Sequence, residues 1–380
     1  MKNYLKALCT TAILFFLMFL GWLVVFNVYY FNPLETAIDN FHFSDIYFYW
    51  QKKNSDNTYS NIVIVNTAYL HDRDKIATVI DSINAHQPRL VAVDIIFPDA
   101  VSSLTPADSH LCAAFSACPK LVIAQRAVPI SEKSWNMERS FFADGYTEGV
   151  VNFSTGLVRT IHTTETFDQV SYPTFAAQVV RQIGELPAEK ERMIQFGGIN
   201  FMTWNANEED FTLDFLKDKI VFIGDINDIR DWHDIPIGTT GRSRMSGVEL
   251  HALSTYTLLS PYHYHFFPKF VSIFIQIILI YFFCFCLHLW WPQTTMDNWV
   301  QFLLQIAFIA IIVIFCYILF RTCYIICSPT IAIIGFGLVG FAKNITDTFT
   351  DKEQRDKFVE KWKARLECLK KKNENKKKNQ

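Results

Sequence analysis

The sequence predicts an α/β extracytoplasmic domain with a mainly parallel sheet, joined to four transmembrane helices, one N-terminal and three C-terminal. Two observations support this prediction. Four apolar runs lie at the two ends of the 380-residue chain, and each is long enough to cross a bilayer as a helix. Between them, short apolar runs alternate with helix-like stretches, which is the pattern of strands joined by crossover helices.

The first apolar run covers residues 5–30 and follows a short N-terminus, residues 1–4, that we expect in the cytoplasm. About 20 apolar residues suffice to cross the roughly 30 Å of bilayer hydrocarbon as a helix. Lys2 and Lys6 lie at the start of the run, and no small-residue cleavage site follows it. The pattern therefore favours a retained signal anchor over a cleaved signal peptide.

Three further apolar runs, each about 20 residues long, cover residues 270–289, 300–320 and 323–342 and contain no Asp, Glu or Lys. Trp290, Trp291 and Trp299 lie where an interfacial aromatic belt is expected. The last run is rich in glycine, which favours a helix packing face over a pore. The absence of acidic and lysine side chains within the runs argues against ion or proton transport.

Basic residues set the predicted orientation. The N-terminal lysines and the basic C-terminal end, residues 343–380, are expected inside the cell, which places residues 31–268 outside. Residues 31–268 carry 29 acidic and 18 basic side chains, whereas residues 343–380 carry 7 acidic and 13 basic side chains. This asymmetry predicts a multi-pass protein of the cell (inner) membrane that contacts the lipid bilayer and binds no nucleic acid.

The segment between the membrane runs has βαβαβ order at its start. Residues 61–67 (NIVIVNT), 89–97 (RLVAVDIIF) and 120–124 are predicted strands, and residues 72–84 and 108–117 are predicted helices. Such an order makes a parallel sheet with right-handed crossovers the default. Further along, we predict helices at residues 175–183 and 247–259 and strands at residues 193–196 and 219–223.

Two cysteines, Cys112 and Cys118, lie in the exported segment and are candidates for a disulfide in an oxidising compartment. A separation of six residues on one continuous helix places the two side chains on opposite faces. The bridge therefore requires a turn near Pro119 or a frayed helix end, and the sequence leaves its formation open.

The basic C-terminal segment contains a two-heptad apolar seam formed by Val359, Trp362, Leu366 and Leu369. Two interpretations stay open. The seam could belong to a helix that lies on the inner leaflet with its lysines among the head groups. Alternatively, it could dock onto a partner protein or a second copy of the chain. The final KKKNENKKKNQ is interpreted as a solvated basic end.

The strongest cluster of ionisable residues follows the strand at residues 219–223, in the stretch GDINDIRDWHD. It contains Asp225, Asp228, Asp231, His233 and Asp234. A catalytic metal site would need further histidine motifs that the chain lacks, so the sequence predicts no metal, no cofactor and no catalytic residue. A ligand-binding loop and a solvated loop both stay open, and the first gains weight because parallel sheets bind ligands at strand carboxyl ends.

The candidate ligand-binding residues are Asp94, Asp225, Asp228, Asp234, Glu249 and His251. Several have simpler explanations. Glu249 lies near a helix start, where a carboxylate complements the helix dipole. His251 inside the same helix is a candidate packed core histidine, and Asp94 could cap a turn after its strand.

Residues 216–259 resemble the closing segment of the CHASE2 extracellular sensory domain, in which a strand ending in Ile-Gly precedes an Asp, a Pro-containing loop and a helix opened by PGVEIHA. Here the corresponding motif is GVELHA at residues 247–252, and Ser246 stands where the family has proline. The stretch VAVDIIF at residues 91–97 is similar to the family's strand ending in D-x-x-F. The arrangement of one anchor, an ectodomain and three helices also resembles CHASE2 receptors.

This resemblance implies a membrane-anchored sensor or adaptor, and the short segment after the last span leads us to expect that the protein is not an enzyme. CHASE2 receptors commonly continue into a kinase or cyclase domain, and the 38 residues after residue 342 are too few for one. We therefore expect a separate cytoplasmic or membrane effector partner, and the chain could also form a homo-oligomer. Two alternatives stay open: a structural scaffold subunit of a membrane complex, and an exported metal-dependent hydrolase.

Overall fold

The structure is a computed structural model of the full chain. It describes residues 2–27, 42–53, 57–70, 72–98, 104–131, 134–154, 156–184, 186–207, 213–236, 243–290 and 298–350, together with residues 356 and 360. The chain divides into two compact units. We call residues 44–265 the sheet unit, and residues 1–43 together with 266–380 the helical unit.

The sheet unit is built on a seven-stranded, mainly parallel sheet. Its strands are β1 (Asn57–Asn66), β2 (Leu90–Val93), β3 (Leu121–Ser131), β4 (Ser134–Glu138), β5 (Thr147–Val150), β10 (Ile199–Asn205) and β11 (Ile220–Gly224). The strand order is β10-β1-β11-β2-β3-β4, and β5 pairs with β3. Only β4 runs antiparallel, and it pairs with β3 at one edge. The predicted α/β fold with a mainly parallel sheet is confirmed.

Continuous apolar sequence explains the central strands. Every residue of β2 and β11 is buried, and so are the last five residues of β1. A strand buried on both faces needs apolar side chains at consecutive positions, not at alternate ones. Helices cover the two faces of this sheet, which accounts for the burial.

One face of the sheet packs against α3 (Arg73–Ala85) and α4 (Pro106–Ser116), and the other against α5 (Phe175–Ile183) and α6 (Gly247–Leu259). The α3–α4 face includes Ile80 and Phe115, which are almost fully buried. The α5–α6 face includes Phe175 and Val248. The predicted helices at residues 175–183 and 247–259 have the predicted bounds.

Shorter elements complete the sheet unit. They are α2 (Phe43–Lys53), the pairs β6 (Thr160–His162) with β9 (Glu191–Met193), β7 (Thr164–Phe167) with β8 (Val170–Pro173), and β12 (Trp232–Ile235) with β13 (Ser243–Ser246). Two 3₁₀ turns cover Leu213–Leu216 and Ile229–Asp231. Strand β9 ends at Met193, so the predicted strand at residues 193–196 was placed too late in the chain.

Among its described residues, the helical unit contains four helices that are long and apolar enough to cross a membrane. They are α1 (Asn3–Asn27), α7 (Lys269–Trp290), α8 (Asn298–Cys323) and α9 (Thr330–Thr350). Two-residue strands, β14 (His265–Phe266) and β15 (Ile325–Ile326), precede α7 and α9. Leu14, Ile280 and Phe336 lie in a shared core of α1, α7 and α9. The predicted set of one N-terminal and three C-terminal apolar helices is therefore confirmed.

The last of these helices differs from its predicted range, residues 323–342. It starts at Thr330 because the chain leaves α8 through Tyr324, whose φ of 56° is left-handed, and Pro329 precedes the new helix. It continues to Thr350 and includes Lys343 and Asp347. Both charged side chains are buried, and Lys343 Nζ lies 2.7 Å from Asp347 Oδ2. The mutual ion pair lets the helix continue past the end of the apolar run.

The glycines of α9 pack against this chain's own helices. A Cβ on Gly335 would lie 2.5 Å from Ile280 Cδ1, and one on Gly340 would lie 2.4 Å from Gln301 Nε2. At Gly335 and Gly340, the predicted helix packing face contacts α7 and α8 of the same chain.

Candidate functional site

The carboxyl ends of four parallel strands meet at one edge of the sheet. Asn66 ends β1, Asn205 ends β10, Asp225 follows β11 and Asp94 follows β2. Asn66 is buried and joins three strands: its Nδ2 donates to Asn205 Oδ1 at 2.9 Å, and its Oδ1 accepts from the backbone N of Ile226 at 3.2 Å. This edge is where α/β sheets bind ligands.

Three of the predicted site residues are occupied by local bonds. Asp225 Oδ1 accepts from the backbone N of Asn227 at 2.7 Å, which closes a turn. Asp228 accepts from the backbone N of Arg230 at 3.0 Å, and the Arg230 guanidinium lowers its pKa. Asp234 Oδ1 accepts from Arg244 Nε at 3.1 Å across the β12–β13 hairpin. These carboxylates support the loop, and the structure does not bring them together.

Asp231, from the same acidic stretch, lies against the N-terminus of α6. A Cβ on Gly247, the first residue of α6, would lie 2.2 Å from Asp231 Oδ2. The carboxylate can approach the helix this closely only because residue 247 is glycine. A carboxylate at a helix N-terminus also complements the positive end of the helix dipole.

Glu249 supports the same helix start. Its Oε2 accepts from the backbone N of Ser246 at 3.2 Å and from Ser246 Oγ at 2.7 Å. This bond pair is one half of a capping box, in which the third helical residue reaches back to the N-cap. Ser246, standing where the family has proline, thus supplies two donors that a proline could not.

His251 is the most buried of the predicted site residues, with 2% of its surface exposed. Its ring stacks on Phe153 at a centroid distance of 4.5 Å and meets the edge of Phe175 at 5.2 Å. Burial lowers the pKa of His251 to about 3, so its imidazole is neutral at pH 7. Its Nδ1 is buried without a hydrogen-bond partner.

His233 and His251 contact the ring of Phe153 beside the start of α6. Asp231 lies next to His233, and Asp94 lies with Val248 of α6 beside Gly224. His233 Nε2 lies 3.6 Å from Asp231 Oδ1, and the His233 ring meets the Phe153 ring at 4.9 Å. Burial and then the charge of Asp231 raise the pKa of Asp94 well above its usual range. We call Asp94, Phe153, Asp231, His233 and His251 the α6 site.

The sequence predicted Asp94 and His251 as ligand-binding residues and did not include the other three members in that set. Asp231 and His233 lie in the acidic stretch, but nothing in the sequence separates them from Asp225, Asp228 and Asp234. Phe153 lies in the segment between β5 and β6, which carries no motif. Its only signal was that of an aromatic residue outside any strand or helix pattern.

The other end of α6 is held by an arginine. Arg192 is 9% exposed, and its Nη1 donates to the backbone oxygens of Leu258 at 3.2 Å and Ser260 at 3.1 Å. Glu189 Oε2 accepts from Arg192 Nη2 at 2.9 Å. A cation at the last carbonyls of a helix satisfies free acceptors and complements the dipole. Each end of α6 is therefore tied by a charged side chain.

The α6 site is rich in hydrogen-bond acceptors. Two carboxyl groups, the bare Nδ1 of a neutral imidazole and the face of an aromatic ring are suited to a ligand that carries donors or a positive charge. Within the described parts of the chain, no group of three or more His, Cys, Asp or Glu side chains is arranged to hold a metal ion.

Two other groups of predicted residues have different outcomes. Cys112 and Cys118 are free thiols in the structure, and Cys118 Sγ accepts from Asn84 Nδ2 at 3.1 Å. A bridge between the two cysteines stays a prediction that would require this bond to break. The apolar seam of Val359, Trp362, Leu366 and Leu369 lies outside the described residues.

Comparison with known proteins supports the resemblance of the sequence to a sensory family. The CHASE2 domain family model matches residues 12–289, from within α1 to the end of α7. Comparisons with curated proteins and with solved structures give no match. The matched region covers most of the chain and contains the whole sheet unit. The chain therefore belongs to the CHASE2 family of extracellular sensory domains.

Proposed function

We propose that this protein is a membrane-anchored sensor or adaptor that detects a small-molecule or environmental signal outside the cytoplasm and passes it to a separate effector protein. The α6 site receives the signal, and α6 carries it toward the membrane helices. The CHASE2 match supports a sensory role.

One observation carries the proposal. Helix α6 begins at the α6 site and ends at Leu259, and only residues 260–268 separate it from α7. Its N-terminal end contacts Asp231, and its C-terminal carbonyls are held by Arg192. A ligand that changes the position of α6 therefore acts on the chain segment that enters α7.

The proposed topology rests on charge. The sheet unit lies outside the cytoplasm, while Lys2, Lys6 and the basic segment 343–380 lie inside, in keeping with the distribution of basic residues around apolar spans. An inner-membrane location and a cytoplasmic C-terminus follow from this arrangement. In the helical unit, Lys6 of α1 lies 4.0 Å from Asp347 of α9, so the start of α1 and the end of α9 share one end of the helix group. Both ends being cytoplasmic agrees with that contact.

The chemistry of the α6 site suggests the class of ligand. Asp231 supplies a carboxylate that is half-exposed, and His251 supplies a buried acceptor without a partner. Binding a donor there would relieve the cost of the buried unsatisfied nitrogen. A small amine or another cationic donor therefore fits the site best.

The test compares substitutions in the α6 site with substitutions of carboxylates outside it, in the full chain in native membranes. A photo-crosslinking amino acid at Trp362 captures the proposed effector. Asp231→Asn and His251→Phe change the α6 site, whereas Asp225→Asn and Asp234→Asn change carboxylates tied in local bonds. We expect the first pair to alter the yield of the crosslinked adduct several-fold and the second pair to leave it near the wild-type value.

Equal adduct yield from all four variants would reject the α6 site as the source of the signal. Deletion of residues 343–380 from the same chain is the control for partner capture. If the adduct forms equally well with crosslinkers moved to α8 in that deletion, the effector is captured through the membrane helices and not through the C-terminal segment.

We propose that the protein has no enzymatic activity of its own. Asp225, Asp228 and Asp234, the residues closest to a hydrolase motif, are bonded to a backbone N–H or an arginine. Hydrolysis of phosphoesters by the full chain with added Mg²⁺, Mn²⁺ or Zn²⁺, lost in Asp231→Asn, would overturn this proposal.

A further inference from the structure

An apolar cavity lies in the helical unit between α7, α8 and the segment that joins α8 to α9. Its volume is about 140 Å³, and its walls include Ile275, Leu279, Ile312, Phe315 and Leu319. Two cysteines, Cys316 and Cys327, also line it. A cavity of this volume holds several non-hydrogen atoms, and one with apolar walls stays dry or binds an apolar molecule.

The α8–α9 segment turns back along α8. After Cys323 the chain takes a left-handed conformation at Tyr324, with a φ of 56°, and strand β15 then packs against α8. Cys316 lies seven residues before the end of α8, which is about 10 Å along the helix axis. The reversal at Tyr324 therefore brings Cys327 back beside Cys316.

Hydrogen bonds from α7 and from Phe267, two residues before it, hold this returning segment. The backbone N of Phe267 donates to Ile326 O at 3.0 Å. Gln276, a polar residue buried in the apolar α7, donates from Nε2 to Ser328 O at 3.1 Å, and its Oε1 accepts from Ala332 N at 2.9 Å. Non-helical backbone among membrane helices persists only where protein groups satisfy it. Gln276 thus fixes the position of Cys327 against α8.

Cys316 of α8 and Cys327 of the returning segment line the same cavity. Cys316 is 6% exposed, and Cys327 is half-buried. The neighbouring Cys323 is exposed and instead contacts Thr322 Oγ1 at 3.4 Å. Two thiols that line one apolar cavity, one of them on a segment held by Gln276, are an arrangement in which reversible disulfide chemistry is possible.

We infer that Cys316 and Cys327 form a redox-active pair that closes to a disulfide when a membrane quinone occupies the adjacent cavity. The two S–H bonds break and one S–S bond forms. The two electrons and two protons pass to the quinone, which leaves as a hydroquinone. This inference is independent of the α6 site and of the signal proposed for it.

The lining of the cavity favours a quinone as the acceptor. Most of its walls are aliphatic or aromatic, and the amide of Gln276 is already bonded to Ser328 and Ala332. A charged or strongly polar oxidant would therefore lose hydration on entering without compensating bonds. A quinone is apolar, dissolves in the bilayer and accepts two electrons together with two protons. The cavity places such a ring next to both sulfur atoms.

The test uses the full chain in lipid nanodiscs, reduced with dithiothreitol, freed of it and kept anaerobic. Decylubiquinone is added to one sample, diamide to a second and nothing to a third. Free thiols are blocked with N-ethylmaleimide in detergent, disulfides are then reduced, and the released thiols are labelled with maleimide-polyethylene glycol. Peptide mass spectrometry identifies the linked residues, and absorbance of the quinone follows its reduction.

We expect roughly tenfold more linked Cys316–Cys327 peptide with decylubiquinone than without it, and about one quinone reduced for each disulfide formed. The Cys316→Ser and Cys327→Ser variants lose both signals, whereas Cys323→Ser keeps them. Closure with diamide but not with decylubiquinone overturns the proposal, because the quinone is then not the acceptor. Failure of both oxidants to link the pair, or linkage through Cys323, overturns it as well.

Discussion

The two faces of the sheet differ in how their helices use polar side chains. On the α3–α4 face, Arg73 Nη1 lies 2.5 Å from Asp108 Oδ1, and His110 contacts Asp74 at 2.7 Å and Asp81 at 2.9 Å. These bonds join α3 to α4. Asp108 is buried, and bonds from Thr105, followed by the Arg73 guanidinium, lower its pKa to about 2. This face uses its charges to fasten helices to each other.

Helix α6 on the opposite face keeps several polar atoms unbonded. His251 Nδ1, Ser254 Oγ and Thr255 Oγ1 are buried without partners on this one helix. Among the described residues of α3 and α4, Asn84 Oδ1 is the one buried side-chain atom without a hydrogen-bond partner. Unsatisfied buried groups cost stability, so three of them on one helix call for an explanation such as a bound ligand or an ordered water. The comparison separates a face whose charges join its helices from the face that carries the proposed α6 site.

A substitution at Gly149 tests whether the α5–α6 face is closely packed. A Cβ on Gly149 of β5 would lie 2.5 Å from Phe175 Cα, so Gly149→Ala must displace α5 from the sheet. We expect a loss of about 3 kcal/mol in the free energy of unfolding of the sheet unit. Pulse proteolysis of the full chain in urea measures it. Gly184→Ala is the matched control, since nothing lies within 4 Å of its Cβ, and a neutral Gly149→Ala would show that this face is loose.

The second prediction concerns the pH dependence that His251 gives to the α6 face. Its pKa of about 3 in the folded protein lies below its ordinary value of 6.5, so the unfolded chain binds more protons between these pH values. Stability is complete above pH 6.5 and falls with pH, by about 2 kcal/mol at pH 5 relative to pH 8. Urea midpoints across this range should fall less steeply in His251→Phe. Parallel profiles for the two proteins would mean that His251 is not buried as a neutral base.

The next largest effect on stability is expected from substitution of Arg192. Arg192→Met leaves the carbonyls of Leu258 and Ser260 without their cation, and we expect a loss of about 1.5 kcal/mol. Amide exchange measured by mass spectrometry should show the added opening concentrated in the last turn of α6. Arg181→Met, which removes an exposed arginine from the last turn of α5, is the control. Uniform loss of protection across the sheet unit would contradict a local role in holding α6.

Asp94→Asn should raise the free energy of unfolding and weaken the signal proposed for the α6 site. Burial raises the pKa of Asp94 in the folded state, so the folded wild type loses stability as pH rises from the ordinary carboxyl range through that raised pKa. Asparagine removes this loss, and we expect a gain of about 1 kcal/mol at pH 7. A gain that disappears below pH 4 would identify the carboxyl as its source. A loss of stability at pH 7 would place Asp94 among the structural residues instead.

The smallest effect is expected on the α3–α4 face at His110. Bonds from Asp74 and then Asp81 raise its pKa, so the bridge contributes stability below its ordinary pKa of 6.5 and loses it as pH rises through the folded value. His110 is partly exposed, which limits its contribution. His110→Asn should lower the urea midpoint slightly at pH 5 and not at pH 9. A large loss at both values would show that the ring acts through packing and not through charge.

The sequence predicted much of the sheet unit because its core strands are continuously apolar. Such apolar runs predict β1, β2 and β11. Apolar stretches later in the chain predict α5 and α6. The edge strand β10 was missed, since Asn200, Thr203 and Asn205 interrupt its apolar residues. The order of strands in the sheet was not predicted either, because it depends on tertiary packing.

The sequence predicted only part of the α6 site, because the rest of it also depends on tertiary structure. Which side chain of the stretch 225–234 faces α6 depends on the 3₁₀ turn at Ile229–Asp231 and on the β12–β13 hairpin. Neither has a sequence signature strong enough to select Asp231 over its neighbours. The bonds that Ser246 donates to Glu249 could have been predicted from the Ser-x-x-Glu spacing.

Burial on every side limits the ways in which α6 can move. Ten of its residues are buried, among them His251, Ser254 and Thr257 as well as Val248 and Leu250. Rotation about the helix axis would exchange polar and apolar contacts all round the helix, and each exchange would cost energy. A short slide along the axis keeps each residue in a similar environment. We therefore expect α6 to move along its own axis. The bonds from Arg192 to its last carbonyls would limit the distance of that movement.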